Sequence, residues 1–147
     1  MADTARRGVT LQRLDTGVYR ARNAAGAELT FGSLYDEGFS PVELLLAAIG
    51  GCSAVDVDTV TARRSEPDRF EIEVSGEVVR GEDGNIMRDL KMTFDVTFPD
   101  GDAGDEARQV MPRAVRTSQE RTCTVSRTIE QGTPIEVQIT PGDASEK

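Results

Sequence analysis

Two cysteines carry the most nucleophilic side chains of this 147-residue sequence, which contains no histidine. The lack of histidine excludes Ser-His-Asp and Cys-His catalysis and any metal site with histidine ligands. Two thiols on crossing helices can still reduce a peroxide: one thiolate attacks, and the other thiol turns the resulting sulfenic acid into a disulfide. This chemistry needs a donor to the departing oxygen, but no metal and no histidine base. Cys52 and Cys123 are therefore the candidate reactive pair.

Cys52 follows two adjacent glycines inside a segment with the composition of a helix. Each glycine costs about 1 kcal/mol relative to alanine in a helix interior. Either another backbone packs against Gly50 and Gly51, or the thiol needs open space beside it. The alternative for Cys52 is an ordinary small core residue, because free cysteine is often fully buried.

Cys123 is predicted to lie in the first turn of a short helix over Thr122 to Glu130, with Thr122 as the N-cap. The helix dipole favours a thiolate there, and the nearby Arg121 and Arg127 would lower the pKa of the thiol further. Helix position therefore predicts Cys123 as the more acidic of the two thiols. The alternatives are a half-buried structural cysteine and two solvated surface arginines.

The sequence pattern predicts that these thiols are positioned by the elements of one α+β domain over residues 1–147, with flexible ends at 1–7 and 141–147. The order is β-β-β-α-β-β-α-α-β, with meander-like antiparallel strands. The predicted strands are Val9–Leu14, Val18–Arg22, Ala27–Phe31, Phe70–Val78, Leu90–Phe98 and Ile135–Ile139, and the helices are Pro41 to at least Val55, Ala107–Ser118 and Thr122–Glu130.

The first predicted helix is apolar nearly all round. Residues 44–55 carry no charge and are rich in leucine and alanine, with Ser40 as N-cap and Pro41 at the first helical position. A helix of this kind must be buried on more than one side. We therefore expect a central helix, or one sandwiched against a partner chain.

Composition excludes several kinds of partner. Acidic residues number 26 against 17 basic ones, which gives a net charge of −9. Such a charge repels phosphate backbones and anionic lipid, so no nucleic-acid or membrane partner is expected. The C-x-x-C, G-x-G-x-x-G and P-loop patterns are missing, so we expect no cofactor. No apolar segment is expected to reach the ~20 residues of a membrane span, and the N-terminus is too polar for a signal peptide, which predicts a cytoplasmic protein.

Two segments around the cysteines resemble the OsmC/Ohr family of osmotically inducible and organic hydroperoxide resistance proteins. These segments are SPVELLLAAIGGC at 40–52 and RTCTV at 121–125. The resemblance extends over roughly Val18 to Ile139, and its details are those of the broad OsmC-like branch. It implies an intertwined homodimer, with antiparallel sheets wrapped around two long central helices.

The resemblance also implies a set of site residues. It implies that Cys52 is the peroxidatic thiol and Cys123 the resolving thiol. Arg20 best matches the arginine that activates the thiolate, and Arg22 is the alternative. The resemblance thus assigns the attack to Cys52, whereas helix position makes Cys123 the more acidic thiol; we follow the resemblance.

Glu43 is a weaker match, because the hydroperoxide-resistance branch has its glutamate directly after the proline, where this chain has Val42. Nine helical residues rise about 13 Å, so Glu43 cannot reach Cys52 of its own chain and could act only from a partner. The alternative is a first-turn residue favoured by the helix dipole. Asp56, one turn after Cys52, would raise the pKa of that thiol.

The resemblance implies a cytoplasmic, cofactor-free, homodimeric thiol peroxidase that acts on organic hydroperoxides. The reaction would pass through a Cys52 sulfenic acid to a Cys52–Cys123 disulfide, which an external dithiol, often of lipoyl type in the family, would reduce. The alternative is a non-catalytic dimer that binds a small apolar molecule at its interface. Val42 and Asp56 favour this alternative.

Overall fold

Two separate antiparallel sheets and three α-helices form the chain in the computed structural model, which describes residues 2–140. The elements are β1 (Val9–Asp15), β2 (Val18–Asn23), β3 (Glu28–Phe31), α1 (Pro41–Thr61), β4 (Arg69–Gly81), β5 (Gly84–Thr97), α2 (Asp102–Thr117), a π-helical turn (Ser118–Thr122) and α3 (Thr124–Glu130). The predicted α+β class is confirmed. The predicted flexible segment 141–147 lies outside the described residues.

The two sheets differ in size and in what they contact. Strands β1, β2 and β3 form a meander at the N-terminus, and β4 and β5 form a long hairpin. In β4, half-buried Phe70, Ile72 and Val74 alternate with exposed residues, which is the period of two predicted for a strand with one face on the core. That face packs against α1.

Helix α1 begins where the sequence predicts. The Ser40 hydroxyl accepts a hydrogen bond from the Glu43 N–H, and the Glu43 carboxylate accepts one from the Ser40 N–H, which together make a capping box. Five residues at helical spacing form the buried stripe of the helix: Ile49, Gly50, Ser53, Val57 and Thr61. This stripe lies against β4, α2, the π-helical turn and α3.

The adjacent glycines of α1 face different surroundings. A Cβ at Gly50 would lie 2.8 Å from a methyl carbon of Val74, so the close approach of β4 requires glycine there. At Gly51 the described chain leaves open space around the position of a Cβ. The neighbour at Gly50 is thus a side chain rather than the backbone that the first alternative expected, and Gly51 has no close neighbour within the described chain.

The other faces of α1 are uncovered within the single chain. Val55 is 66% exposed, and Val42 and Leu45 are about 40% exposed. By length and composition alone α1 is long and apolar enough to cross a membrane, since it has 21 residues and an 18-residue window with a mean hydropathy of 1.5. Such values also fit the core helix of a packed domain, and α1 lies against β4 and α2 in this structure.

The C-terminal segment departs from the prediction in one element. α2 continues as a helix through Pro112 and passes directly into the π-helical turn. Residues 133–140 are irregular rather than a strand, so the predicted strand at Ile135–Ile139 is wrong for the single chain. Ile135, Val137 and Ile139 are 78–89% exposed. A strand needs a neighbouring edge for its hydrogen bonds, and within residues 2–140 no strand pairs with this segment.

Candidate functional site

Packing of α1 against α3 brings the two cysteines together. Cys123 is fully buried and Cys52 is half-buried. Burial raises the pKa of Cys52 and the neighbouring Cys123 thiol raises it further, whereas Cys52 is one of the neighbours that lower the pKa of Cys123 against its own burial. The two sulfurs therefore form one titrating pair in which Cys52 is the more accessible member.

The Cys123 thiol caps α3. Its sulfur accepts a hydrogen bond from the Ser126 N–H at 3.5 Å and lies 3.2 Å from the Ser126 hydroxyl oxygen. The prediction that Thr122 is the N-cap is wrong, because the π-helical turn extends through Thr122 and leaves Cys123 as the first residue outside it. A cap position satisfies a helix N–H with the sulfur, which favours the thiolate form.

A second hydroxyl reaches Cys123 from α1. The Ser53 hydroxyl donates to the Cys123 sulfur at 3.4 Å, and the Gln119 side-chain amide donates to the Ser53 oxygen at 2.8 Å. Ser53 is fully buried. The residue that follows Cys52 in the chain thus contacts the other cysteine.

Asp56 ties the π-helical turn to α1. Its carboxylate accepts hydrogen bonds from the Ser118 hydroxyl at 2.9 Å and from the Thr122 hydroxyl at 2.8 Å. Ser118 and Thr122 are the first and last residues of the π-helical turn. π-helical segments occur frequently at functional sites, and this one is held at both ends by one carboxylate.

The surroundings shift the pKa values of the two thiols in opposite directions. Burial is the main cause that raises the pKa of Cys52, and the neighbouring Cys123 raises it further, against the lowering effect of the Val125 and Thr124 N–H groups. Asp56 is not among the main causes, contrary to the expectation from sequence. Burial also opposes ionisation of Cys123, but hydrogen bonds from Ser126 and Ser53 outweigh it and hold the pKa of Cys123 below its ordinary value.

Cys123 is therefore the more acidic thiol, as helix position indicated, but the cause differs from the prediction. Hydroxyl and backbone donors lower its pKa rather than the arginines. Arg127 instead donates to the Glu120 carbonyl oxygen in the middle of the π-helical turn. Arg121 is exposed on the surface.

An apolar cavity of about 440 Å³ lies between α1 and β4. Gly50 and Gly51 form part of its wall on the helix side, and Phe70 and Ile72 line it on the strand side. Glu43 is the charged residue among its lining residues. The cavity has the size and character of a site for a small, largely apolar molecule.

Comparison with known proteins gives the family of this fold and site. The family model described as "OsmC-like protein" matches residues 34–138. The chain belongs to the OsmC-like family. The matched region contains both cysteines, all the helices described above and the β4–β5 hairpin, but not the sheet of β1, β2 and β3.

Relatives of this OsmC-like protein include an uncharacterized protein of Mycobacterium tuberculosis, which is 31% identical over 131 residues, or 88% of this chain and 93% of that protein. A hypothetical protein from Aquifex aeolicus is 25% identical, with a TM-score of 0.70, covering 88% of this chain and 91% of that one. An OsmC-like protein of Vibrio cholerae has the same fold, with a TM-score of 0.71 at 11% identity over 86% and 95% of the two chains.

The arginine candidates of this OsmC-like chain lie on the N-terminal sheet. Arg20 in β2 forms an ion pair with Glu28 of β3 at 3.4 Å, and Arg22 also pairs with Glu28. Within residues 2–140, neither arginine is a main cause of the pKa shift of Cys52 or Cys123. One chain therefore assembles the cysteine pair without either arginine.

Glu43 likewise lies away from the thiols within one chain. The Ser40 hydroxyl is 2.7 Å from its carboxylate, as part of the capping box of α1. This contact corresponds to the first-turn alternative. Its position on the wall of the apolar cavity is the one feature that links it to a ligand.

Sequence reasoning missed the polar residues around Cys123: Ser53, Ser118, Gln119 and Ser126. One local signal was present, because Ser126 stands three residues after Cys123, which is the spacing of a side-chain N-cap and its backbone donor. The contacts from Ser53 and Gln119 depend on the π-helical turn, for which the sequence carries no comparable signal.

Proposed function

We propose that this OsmC-like protein is a cytoplasmic, homodimeric thiol peroxidase that reduces organic hydroperoxides. The observation that carries the proposal is the pairing of the half-buried Cys52 with the fully buried Cys123. The accessible thiol can meet a substrate, while the buried one is held beside it to form a disulfide. Dithiol peroxide reduction uses both features.

The reaction proceeds in three steps. The Cys52 thiolate attacks the distal oxygen of the hydroperoxide, the O–O bond breaks, and the alkoxide leaves and is protonated to an alcohol. Cys52 is now a sulfenic acid, and the Cys123 thiolate attacks its sulfur and displaces hydroxide, which becomes water. An external dithiol, for example a lipoyl group, then reduces the Cys52–Cys123 disulfide.

A second copy of the chain would supply the charged residues of the site. The exposed apolar residues of α1, including Leu45 and Val55, support burial of this face in a homodimer. In such a dimer Arg20 of one chain would stabilise the thiolate of Cys52 in the other, together with the charge on the leaving oxygen. Glu43 would reach the site in the same way, if the two α1 helices run antiparallel.

The names of structural neighbours support the substrate class. One neighbour is the organic hydroperoxide resistance protein OhrB of Bacillus subtilis, with a TM-score of 0.50 at 19% identity over 84% of this chain and 90% of that one. A likeness at that level carries the fold, and the reaction proposed for this chain depends on its own two cysteines.

Mixing the fully reduced protein with one equivalent of cumene hydroperoxide tests the proposal. We expect thiol loss much faster than for free cysteine, and a mass that corresponds to one Cys52–Cys123 disulfide. Cys52→Ser should abolish the reaction, whereas Cys123→Ser should complete one turnover and stop at a sulfenic acid that dimedone traps. Thiol loss no faster than that of free cysteine, or full activity in Cys52→Ser, would overturn it.

Binding of a small apolar molecule without catalysis is the second candidate function. The apolar cavity lined by Gly50 and Gly51 favours it as a place for such a molecule, and the raised pKa of Cys52 favours it because a protonated thiol is a poor nucleophile. Native thiol titration separates the two functions: two thiols that stay unreactive toward both alkylating agent and hydroperoxide would favour binding. Fast reaction of Cys52 would favour the peroxidase.

A further inference from the structure

The polar residues around Cys123 form a buried hydrogen-bond network to which the proposed reaction gives no role. Ser53 and Ser118 are both fully buried, and Asp56 is half-buried at the end of the network nearest to solvent. Every buried side-chain polar atom of the described residues has a hydrogen-bond partner. A satisfied polar network of this kind fixes one arrangement of its members.

The direction of the hydrogen bonds follows from which groups can donate. Gln119 donates its amide N–H to the Ser53 oxygen at 2.8 Å, so the Ser53 proton is free for the Cys123 sulfur at 3.4 Å. The single proton of Ser118 has a carboxylate acceptor, Asp56, at 2.9 Å, and the Ser53 oxygen at 3.4 Å. The shorter contact to a charged acceptor is the stronger one, so Ser118 donates to Asp56 and leaves Ser53 pointing at sulfur.

The charge of Asp56 acts against the thiolate, because a nearby negative charge disfavours a second one. Its contribution to Cys123 must therefore be geometric. By accepting bonds from Ser118 and Thr122, Asp56 holds both ends of the π-helical turn on α1, and that turn carries Gln119.

We propose that a positioning network formed by Asp56, Ser118, Gln119 and Ser53 aims the Ser53 proton at the Cys123 sulfur. The network thereby keeps Cys123 as a thiolate, and this thiolate accepts the proton of Cys52 when Cys52 attacks the peroxide. The inference rests on the proposed peroxidase function for its last step. Asp56, Ser118 and Gln119 are positioning residues, since they act through Ser53. In a chain without histidine, the resolving cysteine then serves as the base.

The proton balance of this step closes. The proton of the Cys52 thiol moves to the Cys123 sulfur, and the Cys52 thiolate formed in this way bonds to the distal oxygen as the O–O bond breaks. The leaving alkoxide takes that proton from Cys123 and becomes the alcohol. Cys123, again a thiolate, attacks the sulfenic sulfur and displaces hydroxide, so the two sulfurs lose two electrons and the peroxide gains two.

Ultraviolet titration of the thiolate tests the network without any peroxide. In a Cys52→Ser background, in which Cys123 is the titrating thiol, Ser53→Ala should move the midpoint upward by about one pH unit, the tenfold effect of one charge-assisted hydrogen bond. Ser75→Ala, at an exposed serine of β4, should leave it unchanged. An unchanged midpoint in Ser53→Ala would overturn the proposal.

Two substitutions at Asp56 separate positioning from charge. Asp56→Ala removes the acceptor and should raise the midpoint of Cys123, whereas Asp56→Asn keeps an acceptor oxygen for Ser118 and Thr122 and should restore it to the parent value or below. A purely electrostatic role would lower the midpoint in both variants, and that result would overturn the positioning role. The other ionisable groups on the elements packed around Cys123 stay the same in both variants: Glu43 and Asp58 of α1, Glu120 and Arg121 of the π-helical turn, and Arg127 and Glu130 of α3.

The peroxide arm uses the protein with both cysteines. Ser53→Ala should slow thiol loss to cumene hydroperoxide about tenfold near neutral pH and recover toward the parent rate at higher pH, since hydroxide then replaces the missing base. A rate loss that does not recover with pH would overturn the role of Cys123 as base. If the parent protein does not react with peroxide while Ser53→Ala still shifts the titration, the proposed function fails and the ionisation network stands.

Discussion

The helical half of the molecule and its N-terminal sheet differ in whether their candidate site residues contact the thiols within one chain. Around Cys123, donors from α1 and α3 converge on one sulfur at hydrogen-bond distance, and Gln119 of the π-helical turn donates to the Ser53 hydroxyl that makes one of these contacts. The sheet of β1, β2 and β3 contributes Arg20 and Arg22, which contact Glu28 of the same sheet instead of the thiols. The family match also begins at residue 34, after this sheet has ended.

This difference indicates which part of the site each kind of interaction builds. The pairing of the thiols and their order of ionisation arise from packing between neighbouring helices of one chain. Charge stabilisation of the leaving oxygen, if Arg20 supplies it, must come across an interface. The exposed apolar residues of α1 and of segment 133–140 are the surfaces left for that interface.

The largest expected effect comes from a charge placed on the uncovered face of α1. If the proposed homodimer forms through this face, Val55→Asp should raise its dissociation constant a hundredfold or more, about 3 kcal/mol, because a carboxylate would be buried there without a partner. Sedimentation measures the dissociation, and Val55→Ala is the control for lost volume. The thiolate titration of Cys123 should not change, since Val55 faces away from the network. A monomeric parent protein would contradict the proposal that a second copy of the chain covers this face of α1.

The next effect separates the two arginines of β2, which share Glu28 as their partner. Arg20→Ala should slow peroxide reduction by about 10²-fold, the usual cost of losing one preorganised donor to a developing negative charge. Arg22→Ala should lose less than threefold, and it serves as the matched control. Equal losses in both variants would point to the stability of the sheet instead, and a loss at Arg22 alone would exchange the two assignments. Single-turnover kinetics with cumene hydroperoxide supply the measurement.

A smaller effect distinguishes the inner and outer faces of α1 through its two glycines. Gly50→Ala meets the Val74 methyl, and the overpacking cost of about 1–3 kcal/mol exceeds the gain of about 1 kcal/mol in helix propensity. Gly51→Ala meets open space within the chain and should gain that propensity. Urea unfolding of the two variants measures the difference. If Gly51→Ala is the more destabilising, a second copy of α1 packs closely on Gly51.

Much of this arrangement could be predicted from local sequence rules. Ser40, Pro41 and Glu43 predict the start of α1, and the alternation around Ile72 predicts β4, because capping and side-chain periodicity depend on residues that are neighbours in the chain. The two cysteines could be selected as the reactive pair because the sequence offers no histidine.

Features that depend on distant contacts could not be predicted. The π-helical turn places Gln119 on Ser53 through packing against α1, and it moves the cap of α3 from Thr122 to Cys123. The strand predicted around Val137 follows the alternating pattern correctly, but a strand also needs an edge to pair with, and one chain does not provide it. A β-strand requires both an alternating side-chain pattern and a neighbouring strand to hydrogen-bond with, and the local sequence determines only the pattern.

The smallest expected effect is a pair of opposite dependences of stability on pH, one for each thiol. The pKa of Cys123 is lowered in the folded protein, so its ionisation stabilises the fold above the unfolded thiol pKa, and this contribution is lost as pH falls through the folded value. The pKa of Cys52 is raised, so its contribution is fully present below the unfolded thiol pKa and is lost as pH rises through the folded value.

Single-cysteine variants isolate these two contributions. Relative to the double variant that lacks both thiols, Cys52→Ser should gain stability as pH rises through the alkaline range, whereas Cys123→Ser should lose it. Thermal unfolding across that range measures both slopes. Slopes of the same sign would mean that the two sulfurs share one environment, and the distinction between an accessible thiol and a thiol held by hydroxyl donors would then fail. Opposite slopes would locate the ionised sulfur at Cys123 before any substrate binds.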